Sequence, residues 1–368
     1  MVFLNAANDL DQFSDLNVNQ METVANNPEV RFVLQWKRVQ SLGFGAPWSG
    51  TRRYLVTHDP DASNQTWTGV KSQLIQDMGP GIDMGSAQTL RQFINWCQTF
   101  FPAERYVLVM WNHGSGWRRP DDADRGGYRG VSFDDELGTF IKTWELPDGL
   151  NSLERVQVLS WDASLMQMLE VAYEIRNMCD YVVGSEESPP GEGLPYHLVF
   201  ANLRNNPDRS TEDLTGDFVT GMLQFYGNNR KITQSSIKTN QLNALASAVD
   251  QLALALINHQ NNYAAAIQQA RQNAQSYSPS FNRVYRDLWH LAFLLKQSIP
   301  EPDLIAACDQ VMAAVQNAVV REGHNVNSPN SHGVSIEFGN AGQTYWDVYA
   351  LLGLSKNTRW DDFCRNAP

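Results

Sequence analysis

YVLVMWNHGSGW at 106–117 and VQVLSWDASLM at 156–166 decide how this chain is read. Each is an apolar run that stops abruptly at polar residues able to do chemistry. The first stops at His113, the second at Asp162, Ala163 and Ser164. A short unbroken apolar run with such a boundary reads as a strand buried on both faces. Ligands bind beyond the carboxyl ends of parallel strands. A histidine after one strand and a nucleophile after its neighbour is therefore how an α/β sheet builds a catalytic pair.

Further apolar runs lie at Val2–Leu4, Phe32–Trp36, Tyr54–Val56 and Tyr181–Gly184, with helical patterns between several of them. Ala87–Phe101 places Leu90, Phe93, Ile94 and Cys97 on one face. Leu165–Met178 does the same with Leu165, Met168, Leu169, Ala172 and Ile175. The alternation predicts an α/β fold with a mostly parallel central sheet covered on both faces. The C-terminal half is expected to be mainly helical. Gln241–Ile257 carries the stripe Leu242, Leu245, Ala246, Val249, Leu252, Ala253, Leu256, and Leu304–Val319 repeats the pattern. Both stripes read as core. A late strand is expected at His332–Phe338, before an aromatic tail with Tyr345, Trp346, Tyr349, Trp360 and Phe363. No repeat or low-complexity linker divides the chain. One domain over 1–368 is expected, with a catalytic sheet core in 1–200 and a mainly helical remainder plus the late strand in 201–368.

The 368 residues are 42% hydrophobic and 11% aromatic, enough for a large core. The net charge of −12 makes nucleic acid a poor partner. No stretch reaches the roughly 18–20 apolar residues that cross a bilayer, so no membrane partner is expected. Cys97, Cys179, Cys308 and Cys364 are widely spaced, with no CxxC, which indicates neither a zinc site nor a disulfide framework. The first three lie in apolar helix-like patterns and read as buried thiols.

Covalent peptide hydrolysis needs a nucleophile, a base, oxyanion donors and a specificity pocket. His113 is the candidate base. Gly114 follows it, and its missing side chain lets the backbone N–H approach an oxyanion. Ser164 is the candidate nucleophile, its own N–H the second oxyanion donor. A helix starting at Leu165 would add its positive end there. Asp162 beside the pair, and Glu192 in the loop Ser185–Tyr196, can each pair with a guanidinium or ammonium group. Glu186 and Glu187 read equally well as pocket or structural carboxylates.

The sequence resembles the clostripain family of cysteine endopeptidases, which has a caspase-like fold. The stretches that carry the resemblance are MVFLNAANDL at 1–10, DMGSAQTLRQFINW at 83–96, NHGSGW at 112–117 and RGVSFDDELG at 129–138. DASLM at 162–166, EVAYEIRNMCDYVVGSEE at 170–187 and PGEGLPY at 190–196 continue it. The resemblance implies a caspase-like α/β/α sandwich and an endopeptidase that cuts peptides or proteins after Arg or Lys by a His–Cys dyad. His113 matches the base of the HGxGW motif. Ser164 stands where the DACLM motif has its cysteine. Asp162 matches an acid of the basic P1 pocket, and Glu192 replaces the aspartate of PGDG.

A cysteine beside a histidine ionises near neutral pH, whereas a serine hydroxyl gives up its proton only during attack. A site dimensioned for sulfur is expected to lose most of its activity with serine. Ser164 therefore reads as an engineered cysteine replacement in an inactive or strongly impaired chain. A natural pseudopeptidase that binds basic peptides, and a serine hydrolase, are the alternatives.

Relatives are commonly cut internally near Arg118–Gly130, which makes Arg125 and Arg129 processing candidates. Arg119 is followed by Pro120, which disfavours cleavage. Asp121, Asp122 and Asp124 in the same loop are a calcium candidate, but they lack the spacing and glycine of an EF-hand, and a plain solvated loop is preferred. No metal ligand set and no other cofactor is expected. Met1-Val-Phe-Leu begins inside a strand-like run, which reads as a secreted or cell-envelope bacterial protein with its signal segment removed.

Overall fold

The computed structural model describes residues 1–43, 45–59, 69–117, 130–277, 284–339 and 346–368. Its strands are β1 (Val2–Ala6), β2 (Val33–Arg38), β3 (Gly50–Leu55), β4 (Gln73–Gly79), β5 (Val107–Trp111), β6 (Val131–Asp134) and β7 (Thr139–Ile141). They continue with β8 (Val156–Asp162), β9 (Cys179–Gly184), β10 (Thr233–Lys238), β11 (Tyr285–Asp287), β12 (Val319–His324) and β13 (Ser335–Glu337).

Nine strands form one sheet in the order β12-β10-β9-β8-β5-β1-β2-β3-β4. The centre, β9-β8-β5-β1-β2, is parallel throughout. β3 and β4 add to one margin and β10 and β12 to the other, all antiparallel. The chain leaves β1 toward β2 on one side and later returns as β5 on the other. That reversal opens a crevice beyond the carboxyl ends of β1 and β5.

The apolar runs are unbroken because both faces are buried. On one face Phe3, Leu108, Met110, Leu159 and Val182 pack with Leu90, Phe93 and Ile94 of helix Ala87–Phe100. Helices Leu242–His259, Leu288–Ser298 and Pro302–Ala318 share that core. On the other face Val2, Leu4, Val109, Trp111 and Val158 pack with Val18 and Met21 of helix Asp11–Val24 and with Phe218 of helix Thr211–Tyr226. The result is the expected α/β/α sandwich with a parallel centre.

The sheet is wider than residues 1–200. β10 (TQSSIK) and β12 (VVREGH) come from the second half, and their polar sequences hide them from an apolar reading. The late strand is shorter than His332–Phe338. It is β13, and it pairs with β11 outside the main sheet. No helix among the described residues is long and apolar enough to cross a membrane. All four cysteines are buried and unbridged. Burial pushes the Cys97, Cys179 and Cys308 thiols up to about 12, so they are poor nucleophiles.

Candidate active site

β5 and β8 are paired in register, with Trp111 opposite Asp162. His113 and Ser164 each follow that pair by two residues, so they stand on adjacent strand ends. The segment after His113 lies on the turn that contains Ser164. Gly116 has φ +64°, and a Cβ there would meet Met168 Sδ at 2.4 Å and the Leu165 carbonyl oxygen at 3.0 Å. Tyr285 donates to the Ser115 carbonyl at 2.7 Å, fixing the same loop from below.

A buried layer of asparagines sets the height of His113. Asn112 donates to the Asn5 carbonyl at 2.6 Å and accepts from the Phe133 N–H at 2.7 Å. Asn5 and Asn8 both donate to the Phe133 carbonyl. The ends of β1 and β5 are thereby tied to the β6–β7 hairpin. Each buried amide finds partners, as burial requires.

His113 itself is 41% exposed, and its Nε2 lies 2.5 Å from Asp9 Oδ1. That hydrogen bond holds the Asp9 carboxyl below its ordinary range. Asp9 follows β1, so three neighbouring strands each deliver one polar residue to the crevice.

Ser164 does not sit at a helix N-terminus. The helix runs Leu169–Glu174, and Leu165–Met168 is irregular. Leu165 has φ +63°, an uncommon conformation for a bulky residue and one that turns the chain sharply just after Ser164. The segment's backbone bonds go elsewhere. Leu165 donates to the Glu187 carbonyl, Gln167 to the Ser185 carbonyl, and Ser335 to the Gln167 carbonyl. These contacts compete with helix formation, so the expected dipole contribution at Ser164 is absent. Neither the Gly114 N–H nor the Ser164 N–H has an acceptor among the described residues. Both remain able to donate to an oxyanion.

Asp162 is not an open pocket carboxylate. It is only 7% exposed, with Oδ1 accepting from the Leu194 N–H at 3.0 Å and Oδ2 from the Tyr196 hydroxyl at 2.8 Å. Burial pushes its carboxyl up to about 7, against those hydrogen bonds. Asp162 anchors the loop that carries Glu192. Gly193, at φ +66°, is needed there because a Cβ would lie 2.5 Å from Asp162 Oδ1. Asn17 donates to the Glu192 carbonyl at 2.9 Å, and Tyr226 donates to the Gly193 carbonyl at 2.7 Å. Glu192 is part-exposed. Both acids act on Tyr226, raising its hydroxyl after burial itself. Asp162 and Glu192 thus converge on one loop, one as its anchor and one as its accessible charge.

Glu186 is buried and accepts from the Gly333 N–H at 3.0 Å. Glu187 is 5% exposed, and its Oε1 accepts from the Ser188 N–H. Both carboxylates accept from backbone N–H groups of their surroundings. His259, Glu301 and Asp303 are the described residues grouped closely enough to hold a metal ion. Each already has a partner: His259 pairs with Asp303, and Glu301 accepts from the Tyr263 hydroxyl. Arg125 and Arg129, and the calcium candidates Asp121, Asp122 and Asp124, lie outside the described residues.

Asp9, Asn17, Tyr196 and Tyr226 were not singled out by the sequence reading. Asp9 lies in NAANDL just before a helix, where an acid reads as a cap. Its meeting with His113 depends on strand order.

The architecture is that of a caspase-like α/β/α sandwich. Residues 2–366 match the clostripain family, peptidase C11. The chain belongs to that family of cysteine-type peptidases. Clostripain of Hathewaya histolytica is 25% identical over 262 residues, covering 67% of this chain and 48% of clostripain. The chain thus spans about half the length of that relative. Among solved structures, an inactive zymogen C11 protease from Parabacteroides distasonis aligns with TM-score 0.71 and 17% identity, covering 97% of this chain and 96% of the other. A secreted C11 cysteine protease from Bacteroides thetaiotaomicron, in complex with an irreversible peptide inhibitor, aligns with TM-score 0.71 and 18% identity, covering 98% of each. At these identities the likeness is one of fold.

Proposed function

We propose that this chain is a single-domain, clostripain-type endopeptidase scaffold for peptides or proteins with Arg or Lys at P1, impaired by serine at its nucleophile position. The observation that carries this reading is the placement of His113 and Ser164 two residues beyond the Trp111–Asp162 pair. His113 is the base. Residue 164 attacks the scissile carbonyl, and the N–H groups of Gly114 and residue 164 receive the oxyanion. Glu192 supplies the charge that meets a basic side chain, and Asp162 holds its loop. A thiolate at 164 would be ready to attack. Ser164 must lose its proton in the transition state at a site proportioned for sulfur. Secretion fits the family's secreted member and remains part of this reading. Calcium is not required by any step.

The test is Ser164→Cys, assayed on peptide substrates ending in Arg, Lys or neutral residues. Activity after Arg and Lys is expected from the cysteine form and little or none from the serine form. A cysteine form that binds basic peptides and leaves them uncut would make the chain a peptide-capturing pseudopeptidase. The contact between Asp9 and His113 favours a second reading, a serine hydrolase. Labelling of Ser164 by a basic peptidyl phosphonate would establish it.

A further inference from the structure

We propose that Asp9 is a positioning residue of this site: its carboxylate fixes the His113 ring so that Nδ1 is the nitrogen left to act as base. The inference rests on the reading of His113 as base and deepens it. Asp9 Oδ1 and His113 Nε2 are 2.5 Å apart. A carboxylate only accepts, so Nε2 must carry the shared proton. In the neutral ring Nδ1 then keeps its lone pair.

Asp9 is exposed, but its backbone is held. Asn8 Oδ1 accepts from the Leu10 N–H at 3.0 Å, and the Asn8 amide donates to the Phe133 carbonyl at 3.0 Å. Next along, Asp11 is locked to Arg38 by two bonds of 2.7 Å. The other carboxylates around the ring come from the β6–β7 hairpin. Asp135 feels the charge of His113 and of Asp9 without a hydrogen bond to the ring. Asp134 is turned away onto Lys37 at 2.7 Å, and Glu136 reaches the same lysine. Among the described residues, Asp9 is the carboxylate hydrogen-bonded to the ring.

Such an arrangement matters most to a hydroxyl nucleophile, which depends on an oriented base. As Ser164 Oγ bonds to the carbonyl carbon, its proton passes to Nδ1, and Asp9 pairs with the imidazolium formed. The proton then goes to the departing amine as the C–N bond breaks. Asp9, His113 and Ser164, from the ends of β1, β5 and β8, have the composition of a serine-type triad.

The first test uses the chain as it stands. Nitrogen-15 spectra should show His113 as the Nε2–H tautomer in its neutral form. Asp9→Asn, whose amide can donate to Nε2, should shift it toward Nδ1–H. Asp135→Asn, which removes a charge and no hydrogen bond, should leave the tautomer unchanged. A tautomer unmoved by Asp9→Asn overturns the proposal. In the Ser164→Cys enzyme, Asp9→Asn should lower kcat by about 10²-fold with KM within about twofold. An unchanged kcat also overturns it. If Ser164→Cys has no activity on basic peptides, the peptidase reading fails, while the tautomer still decides the role of Asp9.

Discussion

Gly114 and Ser164 meet backbone to backbone. A Cβ built on Gly114 would lie 2.4 Å from the Ser164 carbonyl oxygen, 2.9 Å from Met166 Cγ and 3.1 Å from Ala163 Cβ. The glycine therefore does more than bare its N–H. It sets how closely the end of β5 approaches the turn after β8, and so sets the spacing of base and nucleophile.

Gly114→Ala should push the two strand ends apart. A displacement near 1 Å at a reacting centre costs on the order of 10²-fold in rate. In the Ser164→Cys background, kcat/KM on an Arg substrate should fall by at least about that factor. The melting temperature should also drop. Wild-type rates in the alanine variant would remove Gly114 from the site.

Asp162 should leave a signature in the pH dependence of stability. Its folded carboxyl titrates at about 7, against about 4 in an unfolded chain. The folded state therefore holds the proton more tightly. The stability Asp162 contributes is fully present below about pH 4 and is lost as pH rises to about 7. The window is worth on the order of 4 kcal/mol for this buried group. Asp162→Asn should flatten the fall in stability between about pH 4 and 7, measured by urea unfolding. Glu170, pushed by burial up to about 8, keeps part of the slope. An unchanged slope would place the Asp162 carboxyl at an ordinary value.

Glu192→Gln in the Ser164→Cys enzyme should lower kcat/KM for Arg and Lys substrates by about 10- to 100-fold, the loss of a charge-assisted hydrogen bond. Rates on neutral substrates should hardly move. Equal losses on all substrates would show that Glu192 supports the loop instead of reading P1.

Processing gives a separate readout. The serine form should run as one full-length band. The Ser164→Cys form should split near Arg125 or Arg129, and replacing both arginines should block the split. Mass spectrometry of the fragments fixes the site. An uncut, active cysteine form would refute processing and leave the peptidase reading intact.

The parallel centre and the two site-bearing strand ends were legible because burial on both faces leaves unbroken apolar runs such as Val107–Trp111. β10 was not, because Gln234, Ser235 and Ser236 are polar yet buried, and the partner of the Ser235 hydroxyl, Gln167, comes from a distant segment. The helix expected from Leu165 had the right apolar spacing. Its first residues instead hydrogen-bond to Glu187, Ser185 and Ser335. Asp162 was recognisable as an important acid, but its direction depended on Leu194 and Tyr196, some thirty residues on. Asp9 gave no sign, since the residue it touches is 104 positions away.

The strand order carries one last consequence. β1 to β5 fill one side of the sheet, and β8, β9, β10 and β12 fill the other. A backbone cut between residues 117 and 130 would divide the sheet along the single seam where β5 meets β8. His113 would belong to one polypeptide and Ser164 to the other. Native assembly would then change from a unimolecular to a bimolecular event. Once melted, a cut molecule would recover at a rate set by protein concentration, and dilution alone would make its loss permanent.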